Sequence, residues 1–273
     1  MVPTLTANGI ALFAISYDSV AILAEFAGKH GITFPLLSDE GSRAMRRLGL
    51  INKGVLEDHA FYGIKPNPRH TDLPYPGVYV LDQAGFISHK RFHESYRERD
   101  TGAGLLGRVL DIAAPVSGAE ARIDREAVHV RGRLDSSTYA WFQRVNLLVD
   151  VEVAPGYHVY GDQAPAGSVS LSARVDPIDG LEIGAMVWPA PRQHVIAGLD
   201  EKFAVHEGNI RGACSLTFTG APGAGNHVVR VTVEFQACSD SLCLPPASAK
   251  LELSIKEAAL VDRILPKDAP PPP

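Results

Sequence analysis

Val229-Arg-Val-Thr-Val-Glu-Phe-Gln236 alternates apolar and polar residues, the period of a strand whose valines and Phe235 share one face. Directly after it come Ala237-Cys-Ser-Asp-Ser-Leu-Cys243, Leu244-Pro-Pro246 and a second short strand pattern, Lys250-Leu-Glu-Leu-Ser-Ile255. Two strands joined by a polar turn with a cysteine on each side can bring the Cα atoms to the ~4.4–6.8 Å that a disulfide needs. Cys238 and Cys243 therefore read as a reversible redox pair. A purely structural disulfide is the alternative, although so short a closed loop removes little chain entropy and makes a weak staple. A metal site is the third option, with His158 or His206 as further ligands, but the close-set paired motifs of structural zinc sites are missing. The Ser-Asp-Ser turn suits exposure of the pair, whereas Asp240 disfavours a thiolate beside it.

Outward from this stretch, helical periodicity is absent back to about Ala127. Val128-His-Val-Arg-Gly132, Arg144 to Val153, Tyr157-His-Val-Tyr160, Ser168 to Ala173, Leu181-Glu-Ile183 and Ala213 to Phe218 read as short strands separated by Pro-Gly, Asp-Gly and Gly-Ala-Gly turns. That spacing predicts an all-β, immunoglobulin-like antiparallel sandwich over 127–257. Residues 114–126 form a linker opening on Ala114-Pro-Val-Ser-Gly118, and 258–273 are a Pro-rich tail, disordered or a tether.

Upstream, the pattern changes. Ile10-Ala-Leu-Phe-Ala-Ile-Ser16 is a continuous apolar run, as for a strand of a parallel sheet covered on both faces. Ser19 has the chemistry of a helix N-cap, and a helix follows to Gly28, closed by Lys29-His-Gly31. Phe34 to Ser38 is the next strand, Ser42 to Leu48 a second helix ended by Gly49, and a loop rich in Pro and Gly spans Asn52 to Pro76. Val78–Leu81 and Phe86–Phe92 flank a hairpin turn at Asp82-Gln-Ala-Gly85, and a last helix covers Gly104 to Ala113. The order βαβαββα defines an α/β domain over 1–113.

The 273 residues suit two domains. At 45% hydrophobic and 21% charged, both halves can bury a core. A net charge of -5 without any basic run excludes nucleic acid as a partner. No apolar stretch approaches the ~18 residues of a membrane span, and the N-terminus lacks the basic and apolar regions of a signal peptide, so the chain as written is not expected to be exported. Three cysteines are too few for a disulfide-built scaffold. Cys214, alone in a strand-like run, reads as a small buried apolar residue.

Ala14-Ile-Ser-Tyr-Asp-Ser19, Thr33-Phe-Pro-Leu-Leu-Ser-Asp39 and Pro76-Gly-Val-Tyr-Val-Leu-Asp82 together resemble the peroxiredoxin family of alkyl hydroperoxide reductase and thiol-specific antioxidant (AhpC/TSA) type, over residues 8–113. The resemblance implies a thioredoxin-like fold and places Pro76 where such folds often carry a cis-proline. It also exposes a departure. The family's peroxidatic cysteine lies on a segment upstream of the Ile10 strand, and residues 1–113 contain no cysteine. A thiol peroxidase needs a thiolate nucleophile, so peroxide reduction is not expected of this sequence. The family's central first strand is missing too, which would leave a gap in the sheet or force the Ile10 and Val78 strands together. A truncated gene model or a mis-assigned start codon would account for both.

Pro155-Gly-Tyr-His-Val-Tyr160, Trp188-Pro-Ala-Pro191, Leu199-Asp-Glu-Lys-Phe203 and Ala237-Cys-Ser-Asp-Ser-Leu-Cys-Leu-Pro-Pro246 occur in the order found in the N-terminal domain of the thiol:disulfide interchange protein DsbD, over residues 125–257. This resemblance implies a periplasmic, immunoglobulin-like domain that exchanges electrons with thioredoxin-like proteins through Cys238 and Cys243. It places Phe203 in a cap loop shielding the disulfide, with His158 and Tyr160 near the sulfurs. The cysteine spacing is one residue shorter than in the best-known member. On residue type alone, His158 is a satisfied strand histidine, Phe203 and Trp188 are core, and Tyr17-Asp18 is a strand-end turn. No cofactor and no metal is implied. The competing class is a non-catalytic interaction module with a structural disulfide, and the first domain, lacking a nucleophile, can still dock a partner.

Overall fold

The structure, a computed structural model, describes residues 1–57, 65, 72–93, 98–110, 112, 118–162, 164–195, 202–220 and 225–258. The Pro-rich tail from 259 on, much of the loop expected over 52–76, residues 113–117 of the expected boundary, and 196–201 lie outside the described residues. The chain is mostly β with a few short helices, and it divides into two compact units, Met1–Arg99 and Asp100–Ala258.

The first unit runs α1 (Val2–Ala7), β1 (Ala14–Ser16), α2 (Val20–His30), β2 (Leu36–Ser38), α3 (Arg43–Arg47), β3 (Gly77–Leu81) and β4 (Ile87–Phe92). Helix α1 was not expected; a proline in its first turn costs no hydrogen bond there. Helix α2 is capped by Ser19 Oγ, which accepts from Ile22 N, and stops at Gly31 in the left-handed region. At α3 the cap is Asp39, whose carboxylate accepts from Ala44 N and Met45 N at 2.9 and 3.0 Å. These backbone donors favour the carboxylate and hold its pKa below the ordinary carboxylate value. In the β3–β4 turn, Asp82 Oδ1 accepts from Ala84 N and Phe86 N, and Gly85 takes a φ of 85°. Tyr17-Asp18 is the turn expected of it, with Ser16 Oγ donating to Asp18.

Two expectations for this unit are corrected, and one left open between two outcomes is decided. The Ile10 strand is short, with only Ala14–Ser16 in a ladder, and it is not covered on both faces: Phe13 is 57% and Ile15 50% exposed. β1 pairs in parallel with β2, β3 pairs with β4, and the two ladders stay separate, so the sheet has a gap rather than a forced pairing. Finally, no peptide bond among the described residues is cis, so the bond before Pro76 is trans.

The second unit begins as the two-residue strand β5 (Arg99–Asp100) leads into α4 (Gly102–Val109). Then follow β6 (Glu120–Arg125), β7 (Val128–Leu134), β8 (Thr138–Tyr139), β9 (Gln143–Val153), β10 (His158–Tyr160), β11 (Ser172–Val175) and β12 (Leu181–Ile183). The last six strands are β13 (Arg192–Val195), β14 (Lys202–His206), β15 (Asn209–Phe218), β16 (His227–Phe235), β17 (Ala237–Cys238) and β18 (Ala247–Glu257). The helix expected to close the first domain thus falls in the second unit, and part of the expected linker is strand β6, antiparallel to β7. A buried polar cluster explains the helix's place. Thr101 Oγ1 caps α4 by accepting from Gly104 N and donates to Asp135, which also accepts from Asn146 N and its side chain. A Cβ on Gly104 would come within 2.6 Å of the Asn146 amide, so only glycine lets the helix sit there.

One sheet has the order β12-β15-β9-β7-β6 and a second β11-β16-β18-β8. Their inward positions follow the period of two: Val128, Val130 and Leu134 on β7, Val145 to Val153 on β9, Val229 to Phe235 on β16, Ala249 to Ile255 on β18. All are within 3% of complete burial and join one core. Each such Val, Leu, Ile or Phe side chain contributes about 1.5–3 kcal/mol on burial. At Gly132 the two layers pack closely, since a Cβ there would meet Leu251 Cδ1 at 2.8 Å. The third sheet, β13-β14-β10-β17, carries the cysteines.

Candidate functional site

The long ladder between β16 and β18 ends at the pair Phe235–Ala247, and what lies between them is the cysteine hairpin. At Gln236 the chain leaves its sheet and enters the third one as β17. Gln236 is buried, and its amide ties the crossing down: Oε1 accepts from Val169 N at 3.1 Å and Nε2 donates to Leu244 O at 3.0 Å. Ser239 N donates to Leu242 O and Leu244 N to Ala237 O, so Cys238 and Cys243 form the pair between these bonds. In antiparallel strands that is the close, non-hydrogen-bonded type of pair. Their Cα atoms are 4.0 Å apart and the sulfurs are joined as a disulfide. Ser239 Oγ, accepting from Leu242 N and donating to Leu242 O, braces the turn. The two sulfurs have unequal surroundings. Cys238 is 1% exposed, whereas Cys243 is exposed.

Register decides what surrounds Cys238. Cys238 lies opposite His158, Tyr160 opposite Val205, Phe203 opposite His194 and Val205 opposite Arg192. Directly opposed residues share a face, as do residues two apart. One face of the third sheet therefore carries Cys238, His158, Tyr160, Val205, Phe203, His194 and Arg192. Tyr160, Val205 and Cys238 form a small apolar cluster with Phe203 and Ala164 against it. Phe203 is half-buried, its ring meeting that of Tyr160 edge-on at 6.1 Å. It belongs to a strand; residues 196–201, which precede that strand, lie outside the described residues. The structure thus brings together Cys238, Cys243, Tyr160, His158 and Phe203.

His158 is not the satisfied strand histidine that residue type suggested: it is 2% exposed, and its Nε2 is buried without a hydrogen-bond partner. Burial lowers its pKa, and the neighbouring His194 lowers it further. The rings of His158 and His194 are 4.6 Å apart. His194 in turn places Nε2 3.2 Å from Asp240 in the cysteine turn and Nδ1 3.9 Å from Glu207. Burial raises the pKa of Tyr160. His206 lies opposite Val159, on the other face from His158, so the two histidines cannot join the sulfurs at one metal. Among the described residues, no group of three or more His, Cys, Asp or Glu side chains could hold a metal ion. Cys214 is a core residue, its thiol pushed up to about 11 by burial. Trp188 is half-buried against the same core.

Sequence reasoning missed His194, Gln236 and the role of Asp240 as a partner of His194. His194 lies on Arg192-Gln-His-Val195, directly after the Pro-rich Trp188-Pro-Ala-Pro191; only Val195 of that strand is apolar, so no period marks it. The charged turn residue opposite a histidine 46 positions away leaves no local signal at all.

Two family models match the chain. Residues 137–255 match the N-terminal domain of the thiol:disulfide interchange protein DsbD, and residues 1–90 match the AhpC/TSA family. No curated protein matches. Among solved structures, the N-terminal periplasmic domain of ScsB from Proteus mirabilis is 20% identical, with a TM-score of 0.37, over 50% of this chain and 51% of its own. The chain thus spans about half the length of that relative. The reduced DsbD N-terminal domain of Neisseria meningitidis is 18% identical, with a TM-score of 0.29, over 41% of this chain and 78% of its own. The chain therefore carries a peroxiredoxin-type match without a cysteine and a DsbD-type match that contains the disulfide.

Proposed function

We propose that this protein exchanges thiols and disulfides through Cys238 and Cys243 with a thioredoxin-like partner, from an immunoglobulin-like domain working outside the cytoplasm. The observation that carries it is the asymmetry of the bridge. A thiolate can approach exposed Cys243, while Cys238 is enclosed by Tyr160, Val205 and Phe203. Attack at the accessible sulfur and departure of the enclosed one is the polarity exchange requires. The partner's thiolate bonds to Cys243 as the Cys238–Cys243 bond breaks, and the electron pair goes to Cys238. The partner's second thiol then displaces Cys243, so two electrons move from the dithiol to the pair and the two thiol protons follow through solvent. Exposed Leu242 and Val195 beside the site supply apolar surface for docking. The domain boundaries that serve this reading are those of the compact units. The first unit, without a thiol, acts here by docking rather than by peroxide reduction.

The test is trapping. A thioredoxin-like protein lacking its resolving cysteine should form a mixed disulfide with the Cys238→Ala chain and none with Cys243→Ala. A reduction potential well below about -300 mV would instead assign the bridge to structure alone.

A further inference from the structure

His158 presents a buried Nε2 with no partner, on the strand residue directly across from Cys238. Side chains so opposed lie with Cβ atoms about 4.5–5.5 Å apart. The histidine is fixed from several sides. His194 on β13 packs its ring against it at a tilt, Tyr160 on its own strand meets it edge-on at 5.4 Å, and Asp240 and Glu207 hold His194. Arg192 in turn stands 3.8 Å from Glu207. Among the described residues, these are the charged and titratable groups facing the pair from the neighbouring strands and from the cysteine turn. An unpaired polar atom in a native interior calls for an explanation. While the disulfide is closed, Cys238 sulfur is a poor acceptor; once it opens, that sulfur becomes an anion enclosed by Tyr160, Val205 and Phe203.

We propose that His158 donates a hydrogen bond from Nε2 to the Cys238 thiolate as the disulfide opens, with His194 and Asp240 positioning its ring. This rests on the exchange reading above. The partner thiolate bonds to Cys243, the Cys238–Cys243 bond breaks, and the electron pair that arrives on Cys238 is met by the neutral imidazole N–H. The donor that is unpaired in the oxidised protein is paired in the reduced one. His158 thereby favours the reduced state and makes Cys238 the better leaving group.

Two polar substitutions in the full-length chain separate this role from packing. His158→Gln carries its amide nitrogen near the Nε2 position, whereas His158→Asn stops short of it. With dithiothreitol as the reductant, the Gln variant should be reduced at close to the unsubstituted rate and the Asn variant about tenfold more slowly. In a Cys243→Ala background, ultraviolet thiolate absorbance should show the Cys238 titration raised by about one pH unit in Asn and little changed in Gln. Equal behaviour of Gln and Asn in both measurements would overturn the proposal, as would a Cys238 titration that ignores both. Failure of the exchange reading is distinct: it appears as no mixed disulfide with a thioredoxin-like protein, while the Cys238 titration still reads His158 directly.

Discussion

Reducing the Cys238–Cys243 bridge should leave the second unit folded and only modestly less stable. The two cysteines are five positions apart. For so small a loop, the chain-entropy relation gives about 2 kcal/mol at room temperature, against about 4.7 kcal/mol for a bridge closing a hundred residues. The core between the β7–β9 and β16–β18 layers does not depend on it, since its inward residues are buried by strand pairing alone. A thermodynamic cycle turns the same figure into a potential. Whatever the bridge contributes to the fold, the fold returns to the bridge, so its potential in the folded protein lies about 45 mV below that of the same loop in the unfolded chain. Both trytophan residues, Trp141 and Trp188, lie in the second unit, so fluorescence-monitored denaturation with and without reductant reports on that unit. Glutathione titration of the folded protein and of a peptide spanning 235–247 gives the potentials. A stability loss above about 4 kcal/mol, or unfolding on reduction, would show a staple on which the fold depends. A potential difference that disagreed with the stability difference would refute the cycle itself.

Gln236→Ala should destabilise the second unit by about 2 kcal/mol, because it strands Val169 N–H and Leu244 C=O at once; denaturant midpoints measure it. Phe203→Ala removes the edge contact with Tyr160, about 0.5–1.5 kcal/mol, and should speed reduction by a small dithiol about two- to tenfold in stopped-flow assays. His158 and His206 both have pKa values lowered by burial from the ordinary 6.5, so the unfolded chain binds the extra protons. Stability should therefore be held above about pH 6.5 and fall as the pH drops below it, a trend thermal unfolding across pH 5–8 will read. Cys214, at about 11, should stay unreactive toward a thiol reagent at neutral pH in the folded protein, oxidised or reduced, and react only on denaturation.

Much of this fold is legible in the residues, and the illegible parts share a cause. Strands β7, β9, β16 and β18 alternate apolar and polar over seven residues or more, long enough for the period to stand out. Ser19 and Gly31 mark α2 by cap chemistry, and Asp82 to Gly85 mark a turn by Asx bonding and a positive φ. β6, by contrast, is Glu-Ala-Arg-Ile-Asp-Arg at a sheet edge, where charge protects against stray pairing and reads as linker. β13, Arg-Gln-His-Val, is short, polar and largely exposed, held by its pairing with β14 rather than by burial. The cysteine pair was visible by spacing. Its surroundings were not, because His158, His194, Phe203 and Asp240 meet through ladders between distant segments. The exposed β1 has the reverse problem: its apolar run promised a covered strand, and the neighbour that would cover it is absent from the ladder.

The one-residue crossing at Gln236 sets an order of assembly. The β16–β18 ladder joins strands separated only by the cysteine loop, so its contacts are local in sequence and cheap in chain entropy. The enclosure of Cys238 draws on residues 158–160, 194 and 203–205, whose contacts require most of the domain to be in place. On refolding, the hairpin is therefore expected to come together early and its cover late. The thiols would then meet each other while still open to oxidants, and selectivity would arrive only once the strands that enclose Cys238 are in place.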